Sequence, residues 1–131
     1  MVVDTSALMA ILLGEDERSV FEEIILSVPT SVMSVVAVVE ATIVLCGKRR
    51  EAEAERLEGL LTDYGVEISG VDADQGALVR QSFLRYGRGR HPAALNFGDC
   101  FTYALAKARD DTLLFKGDDF AKTDIVPAWR P

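Results

Sequence analysis

The chain has 131 residues, enough for one domain with a core of its own and no need of disulfide or metal staples. Apolar residues make up 49% and charged residues 27%, the balance of a soluble globular protein. A net charge of -7 excludes whole-surface attraction to nucleic acid or anionic membrane, so a nucleic-acid role would need a local basic patch or bound cations. Cys46 and Cys100 stand far apart in helix-like contexts with no Cys-x-x-Cys or Cys/His cluster, and both read as buried free thiols. No basic region precedes the short apolar start, and no segment approaches the roughly 18 apolar residues of a membrane span. A cytoplasmic protein is expected.

In chain order, Met1-Val2-Val3 reads as a short buried strand ending at Asp4, and Asp-Thr-Ser supplies cap residues for a helix over Ser6 to Leu13. Gly14-Glu15-Asp16 turns into a second amphipathic helix through Leu26, and Pro29 closes the pair. Thr30 to Met33 is a strand, with Ser34 able to cap the segment from Val35 to Lys48. The Val-Val-Ala-Val-Val start of that segment favours a strand, but its length and Ala-rich continuation favour a helix, which is the expectation.

Glu51 to Tyr64 reads as one amphipathic helix with Leu57, Leu60 and Leu61 on a face. Val66 to Val71 alternates as a strand. Asp72 and Gln75 have capping-box spacing for a helix to Tyr86. Gly87 to Pro92 is a loop, Asn96 caps a helix to Arg109, and Thr112 to Phe115 is a strand followed by the Gly117-Asp118-Asp119 turn. Ile125-Val126 is a candidate edge strand. Alternating strands and helices without repeats or linkers imply a single domain over residues 1–131, an α/β fold with a mostly parallel sheet between helical layers.

Four acidic positions stand out against this frame. Asp4 lies at the carboxyl end of a strand, where open α/β sheets bind ligands, although capping a helix would equally explain it. Glu40 is the only charged side chain between Val35 and Gly47, in a segment whose circumference should be mostly buried, and an ionised carboxylate there needs a partner. Asp99 occupies the third position of its helix, where free amides and the helix dipole should keep it ionised at little cost, with Phe101 and Leu105 packing inward. Asp118 and Asp119 follow a strand and so share an edge with Asp4. Carboxylates from four elements at one edge would repel unless they held a hard divalent cation such as magnesium or manganese, which points to phosphoryl chemistry.

Between Arg80 and His91 the charge reverses locally, with Arg80, Arg85, Arg88 and Arg90 and no acid. Arginine grips phosphate bidentately and stacks on bases, so Arg85, Arg88, Arg90 and the lone His91 are candidate substrate contacts. His91 is also the only histidine, which excludes schemes needing two.

The opening Val-Val-Asp4-Thr-Ser, Glu40, the run from His91 through Asp99 to Ala106, and Leu113-Leu-Phe-Lys-Gly-Asp118-Asp119-Phe together resemble the PIN-domain ribonucleases, specifically VapC-type toxins of type II toxin–antitoxin systems. The resemblance spans essentially the whole chain and implies a three-layer α/β/α PIN sandwich with four to five strands. It implies a magnesium site, or one for manganese, made by Asp4, Glu40 and Asp99 and completed in the acidic turn by Asp119, with Asp118 as an auxiliary. It places Thr5 and Ser6 as small hydroxyl residues that orient the first aspartate or contact phosphate.

The implied activity is hydrolysis of RNA by metal-activated water, inhibiting translation and growth when the toxin is free. The implied partners are a VapB-type antitoxin and a second copy of the chain, as a homodimer that becomes a heterotetramer or larger with antitoxin. Two other readings fit less well: a haloacid-dehalogenase-like phosphohydrolase needs an acid where Ser6 stands, and a receiver-like module needs a phospho-accepting aspartate where Ser69-Gly70 stands.

Overall fold

Four short strands, β1 (Val2–Val3), β2 (Ser31–Ser34), β3 (Val66–Ser69) and β4 (Leu113–Leu114), form one sheet in the order β3-β2-β1-β4. Every pairing is parallel, with Val2 opposite both Val32 and Leu113. The computed structural model describes all residues from Met1 to Pro131. The helices are α1 (Thr5–Leu13), α2 (Arg18–Ser27), α3 (Val35–Gly47), α4 (Glu51–Glu55), α5 (Leu57–Asp63), α6 (Ala73–Tyr86) and α7 (Phe97–Arg109).

The two-residue period of a strand divides the core in two. Val3, Met33 and Leu114 pack with Leu8, Ile11, Phe21, Ile25, Leu45, Leu57 and Leu61 from α1, α2, α3 and α5. Their neighbours Val2, Val32 and Leu113 face the other way, onto Tyr86 of α6 and Cys100, Tyr103, Leu105 and Ala106 of α7. The result is the three-layer α/β/α sandwich. Parallel strands buried on both faces have no polar alternation, which is why β1 and β4 read as plain apolar runs. The order 3-2-1-4 reverses direction between β1 and β4, so the switch point that opens a crevice in parallel sheets lies at their carboxyl ends.

Several expectations are corrected. The predicted helix from Glu51 to Tyr64 is two helices broken at Arg56; only α5 offers buried anchors, Leu57 and Leu61, while α4 buries nothing and sets Glu51 and Glu55 one turn apart as like charges. The expected edge strand at Ile125-Val126 is a single bridge, because Pro127 opposes Leu113 and has no amide hydrogen to extend a ladder. Asp72 accepts from the Gln75 amide at 2.8 Å, but the return bond of a capping box is missing. Cys46 is exposed rather than buried. The circumference of α3 is not mostly buried either: Val35, Val39 and Ile43 form an exposed stripe, with Ile43 at 67%. No helix is long and apolar enough to cross a membrane.

Candidate functional site

β1 delivers Asp4 to the switch point, 5% exposed and extended, as the cap of α1. The Ser6 amide donates to Asp4 Oδ2 at 2.9 Å, and the Ser6 hydroxyl donates to the same oxygen at 2.6 Å while accepting from the Lys116 amide at 3.0 Å. Ser6 thereby links the ends of β1 and β4 and fixes the Asp4 rotamer, leaving Oδ1 without a protein donor. Capping and ligation are thus not alternatives, since one oxygen caps and the other is free. Thr5 points elsewhere: its hydroxyl is buried and donates to the Ala37 carbonyl at 3.3 Å, bracing α3.

From the opposite layer, α7 brings Asp99. Asn96 and Asp99 form a reciprocal capping box, the Asp99 amide donating to Asn96 Oδ1 at 2.9 Å and the Asn96 amide donating to Asp99 Oδ2 at 2.8 Å. One carboxylate oxygen again caps and the other is left over. The expectation that Asp99 stays ionised at little cost is overturned. Burial pushes its carboxyl up to about 6, and the charges of Asp4, Asp119 and Glu40 push in the same direction, against the lowering effect of the Asn96 amide. Phe101 is half-buried and packs its ring on the exposed Phe97 at 4.9 Å, whereas Leu105 is in the core as expected.

Glu40 approaches from α3, and Gly98 makes room for it. A Cβ built on Gly98 would stand 2.9 Å from the Glu40 Cδ and closer still to its Oε2, so the Glu40 carboxyl lies directly against the first turn of α7. The sequence carried a signal for this contact that residue-by-residue reading missed, a glycine inside a helix immediately before a candidate ligand.

The structure separates the two acids of the turn. The charge of Asp119 reaches Asp99, whereas Asp118 lies on the wall of a cavity beyond the turn. Two further devices were not foreseen. Lys116, the nearest cation in sequence, is held by Glu15 and Glu17 at 2.7 Å each and is withheld from the acids. Asp124 accepts from the buried Tyr103 hydroxyl at 2.7 Å, from Lys107 at 3.3 Å and from Arg85 at 3.5 Å. Burial alone would raise the Asp124 carboxyl, but the bonds from Tyr103 and Lys107 outweigh it and hold it below its ordinary range.

The candidate substrate contacts are partly engaged within the fold. Arg85 also lies over the Tyr86 ring at 4.7 Å, Arg90 donates to the Leu84 carbonyl at 2.8 Å, and His91 Nδ1 accepts from the Ala93 amide at 3.0 Å. Arg88 is exposed in the same loop, which runs directly into Asn96 and the start of α7.

The acids share an electrostatic neighbourhood, and none of Asp4, Glu40, Asp99 or Asp119 has an ion-pair partner within the protein. No three acidic, thiol or imidazole side chains converge tightly enough to enclose an ion by themselves. An all-oxygen, net-negative donor set of this open kind suits a hard divalent cation that keeps most of its water.

Residues 1–126 match the PIN domain family. The chain is 44% identical over 129 residues to ribonuclease VapC42 of Mycobacterium tuberculosis, covering 98% of each chain. It is 40% identical over 131 residues to ribonuclease VapC30 of the same organism, with full coverage of both. Among solved structures it superposes on Mycobacterium tuberculosis VapC20, described as a sarcin-ricin loop cleaving toxin, with TM-score 0.80, 18% identity and 99% and 98% coverage. A toxin–antitoxin complex from Klebsiella pneumoniae superposes with TM-score 0.74 at 18% identity, with the same coverage.

Proposed function

The chain belongs to the PIN-domain family and, within it, to the VapC ribonucleases, and from that membership we propose a magnesium-dependent endoribonuclease that inhibits translation and growth when free of its antitoxin. What supports the proposal is that the charges of Asp4, Asp119 and Glu40 all act on the carboxyl of Asp99 near the switch point, with no ion-pair partner for any of the four.

Asp4 and Asp99 would hold the ion, magnesium or alternatively manganese, with Glu40 and Asp119 beside them. When bound, such an ion supplies a water of lowered pKa and neutralises charge developing on the phosphoryl oxygens. The protein's own part is preorganisation. Ser6 and the Asn96 amide each tie down one carboxylate oxygen so that the other is presented without rotamer search. Gly98 lets Glu40 lie close, and Glu15 and Glu17 keep Lys116 from collapsing onto the acids. No side-chain nucleophile is needed, in keeping with the lack of a Ser/His or Cys/His pair. Arg88 and the other basic residues of the Arg80 to His91 stretch are suited to the RNA backbone.

The partner proposed is a VapB-type antitoxin, with the toxin as a homodimer that assembles further around it. The Klebsiella neighbour, itself a toxin–antitoxin complex, supports that reading. Purified protein stripped of antitoxin should cut RNA with magnesium and stop with chelator, while Asp4→Asn should lose at least about a hundredfold. Equal cleavage by that variant would refute the assignment.

A further inference from the structure

Beyond the Gly117 turn lies a cavity of about 550 Å³ whose walls include Phe115, Lys116, Asp118, Ile125, Trp129 and Arg130. Its size falls in the range of small-molecule sites, roughly 300–1,000 Å³. It shares the Gly117-Asp118 turn with the acidic edge, and the backbone of Lys116 is the atom group that Ser6 ties to Asp4. Lys116, on the cavity wall, is thus two hydrogen bonds from the Asp4 carboxylate.

The lining has the composition of a nucleotide site. Phe115 is buried with its ring 5.3 Å from Phe120, and the half-buried Trp129 is fixed edge-on to Phe21 at 5.2 Å, so both rings have set orientations. Asp118 and Arg130 also line the cavity, and neither makes a hydrogen bond or ion pair within the protein. Lys116 is neutralised by Glu15 and Glu17, which leaves Arg130 as the cation free to meet a phosphate. Asp118, which when ionised accepts and cannot donate, suits an exocyclic amine. Aromatic walls, one free acid and one free arginine are what a stacked base with its phosphate requires.

We propose that this cavity seats the base of a nucleotide flanking the scissile phosphate, stacked on Trp129 above a floor that includes Phe115, with Asp118 accepting from an exocyclic amine and Arg130 holding the adjoining phosphate. The cavity thus selects adenine, cytosine or guanine over uracil at one flanking position. The assignment rests on the RNA-cleavage reading of the acidic edge, and it gives Asp118 a task separate from that of Asp119.

Trp129 is the chain's single tryptophan, so tryptophan fluorescence comes from the wall of this cavity. The test uses the full-length Asp4→Asn protein in chelator, titrated with the four homopentanucleotides of RNA and with an abasic pentanucleotide carrying the same phosphates. Oligo-A, oligo-C or oligo-G should quench saturably and bind about tenfold tighter than the abasic chain, the scale of one stacked base, with oligo-U weaker than the best of them. Asp118→Asn, whose amide also donates, should erase the disadvantage of uracil. Arg130→Ala should weaken every chain, the abasic one included, by about fivefold.

Quenching that ignores the presence of bases, uracil binding equal to the best base, or a response to an arginine-bearing antitoxin peptide and to no RNA would each overturn the proposal. Failure of the nuclease reading is distinguishable. Base-dependent quenching without RNA cleavage by the wild type would refute that reading alone, whereas cleavage without base-dependent quenching would refute this one alone.

Discussion

At the scale of single residues, Asp4 and Asp99 are each held by one carboxylate oxygen and free at the other, and the consequences differ by site. Asp99 is the most strained electrostatically, since burial and three neighbouring carboxylates raise its carboxyl to about 6 from an ordinary 3.8. The folded protein therefore binds more protons than the unfolded chain between these values. Stability of the metal-free protein should fall as pH rises from about 4 to 6 through this group and be flat in its contribution above that. Asp99→Asn keeps an oxygen for the Asn96 amide and removes the charge. In chelator at neutral pH it should melt about 3 °C higher than wild type, on the order of 1 kcal/mol after allowing for partial exposure, while losing cleavage. An unchanged or lower melting temperature would show that the repulsion is not there. Gly98 offers a second test. Gly98→Ala places a methyl group where the Glu40 carboxyl lies, so kcat should drop by about a hundredfold with KM little changed, and activity within twofold of wild type would mean that Glu40 does not need its position.

Among the elements, the one whose placement matters most is the segment after β4. It holds no strand beyond a single bridge, yet it carries Asp119, and it is anchored from outside by Asp124. Tyr103 lies on α7 one turn beyond Asp99, and Asp124 lies just beyond the 3-10 turn Phe120–Lys122. Their 2.7 Å bond therefore sets the spacing between the helix that carries Asp99 and the turn that carries Asp119. Tyr103→Phe removes this bond at a cost of about 1 kcal/mol, with the ring packing kept. The expected signature is weaker magnesium activation, a raised metal concentration for half-maximal cleavage with modest loss at saturating metal. Equal loss at all metal concentrations would instead mark a general packing defect.

For the whole molecule, net charge and the site pull in opposite directions. The chain carries -7 overall and concentrates uncompensated acids at one edge of its sheet. A cation bound there relieves repulsion in the folded state that the extended chain does not feel. Magnesium at about a hundred times its dissociation constant should add roughly 2.7 kcal/mol, read as a melting shift that chelator reverses. The shift should be largely absent from Asp4→Asn. A shift of the same size in that variant would place the ion elsewhere.

What the sequence determined by itself was everything governed by local chemistry and period: the strand ending at Asp4, the Asn96 cap and the α/β alternation. Legibility ended where two distant segments had to be compared. The break at Arg56 and the open stripe of α3 depend on which face a neighbour covers, and a single helix's pattern does not contain its neighbours. Only the tertiary structure showed that Thr5 turns inward, that Gly98 admits Glu40, that the charge of Asp119 acts on Asp99 while Asp118 lines a cavity, and that Asp124 reaches Tyr103. These are all distances across the sheet, set by packing of the two helical layers. Electrostatic cost follows distance and burial, which is why Asp99 read as an easily ionised cap in sequence and stands as a carboxyl near 6 in the fold.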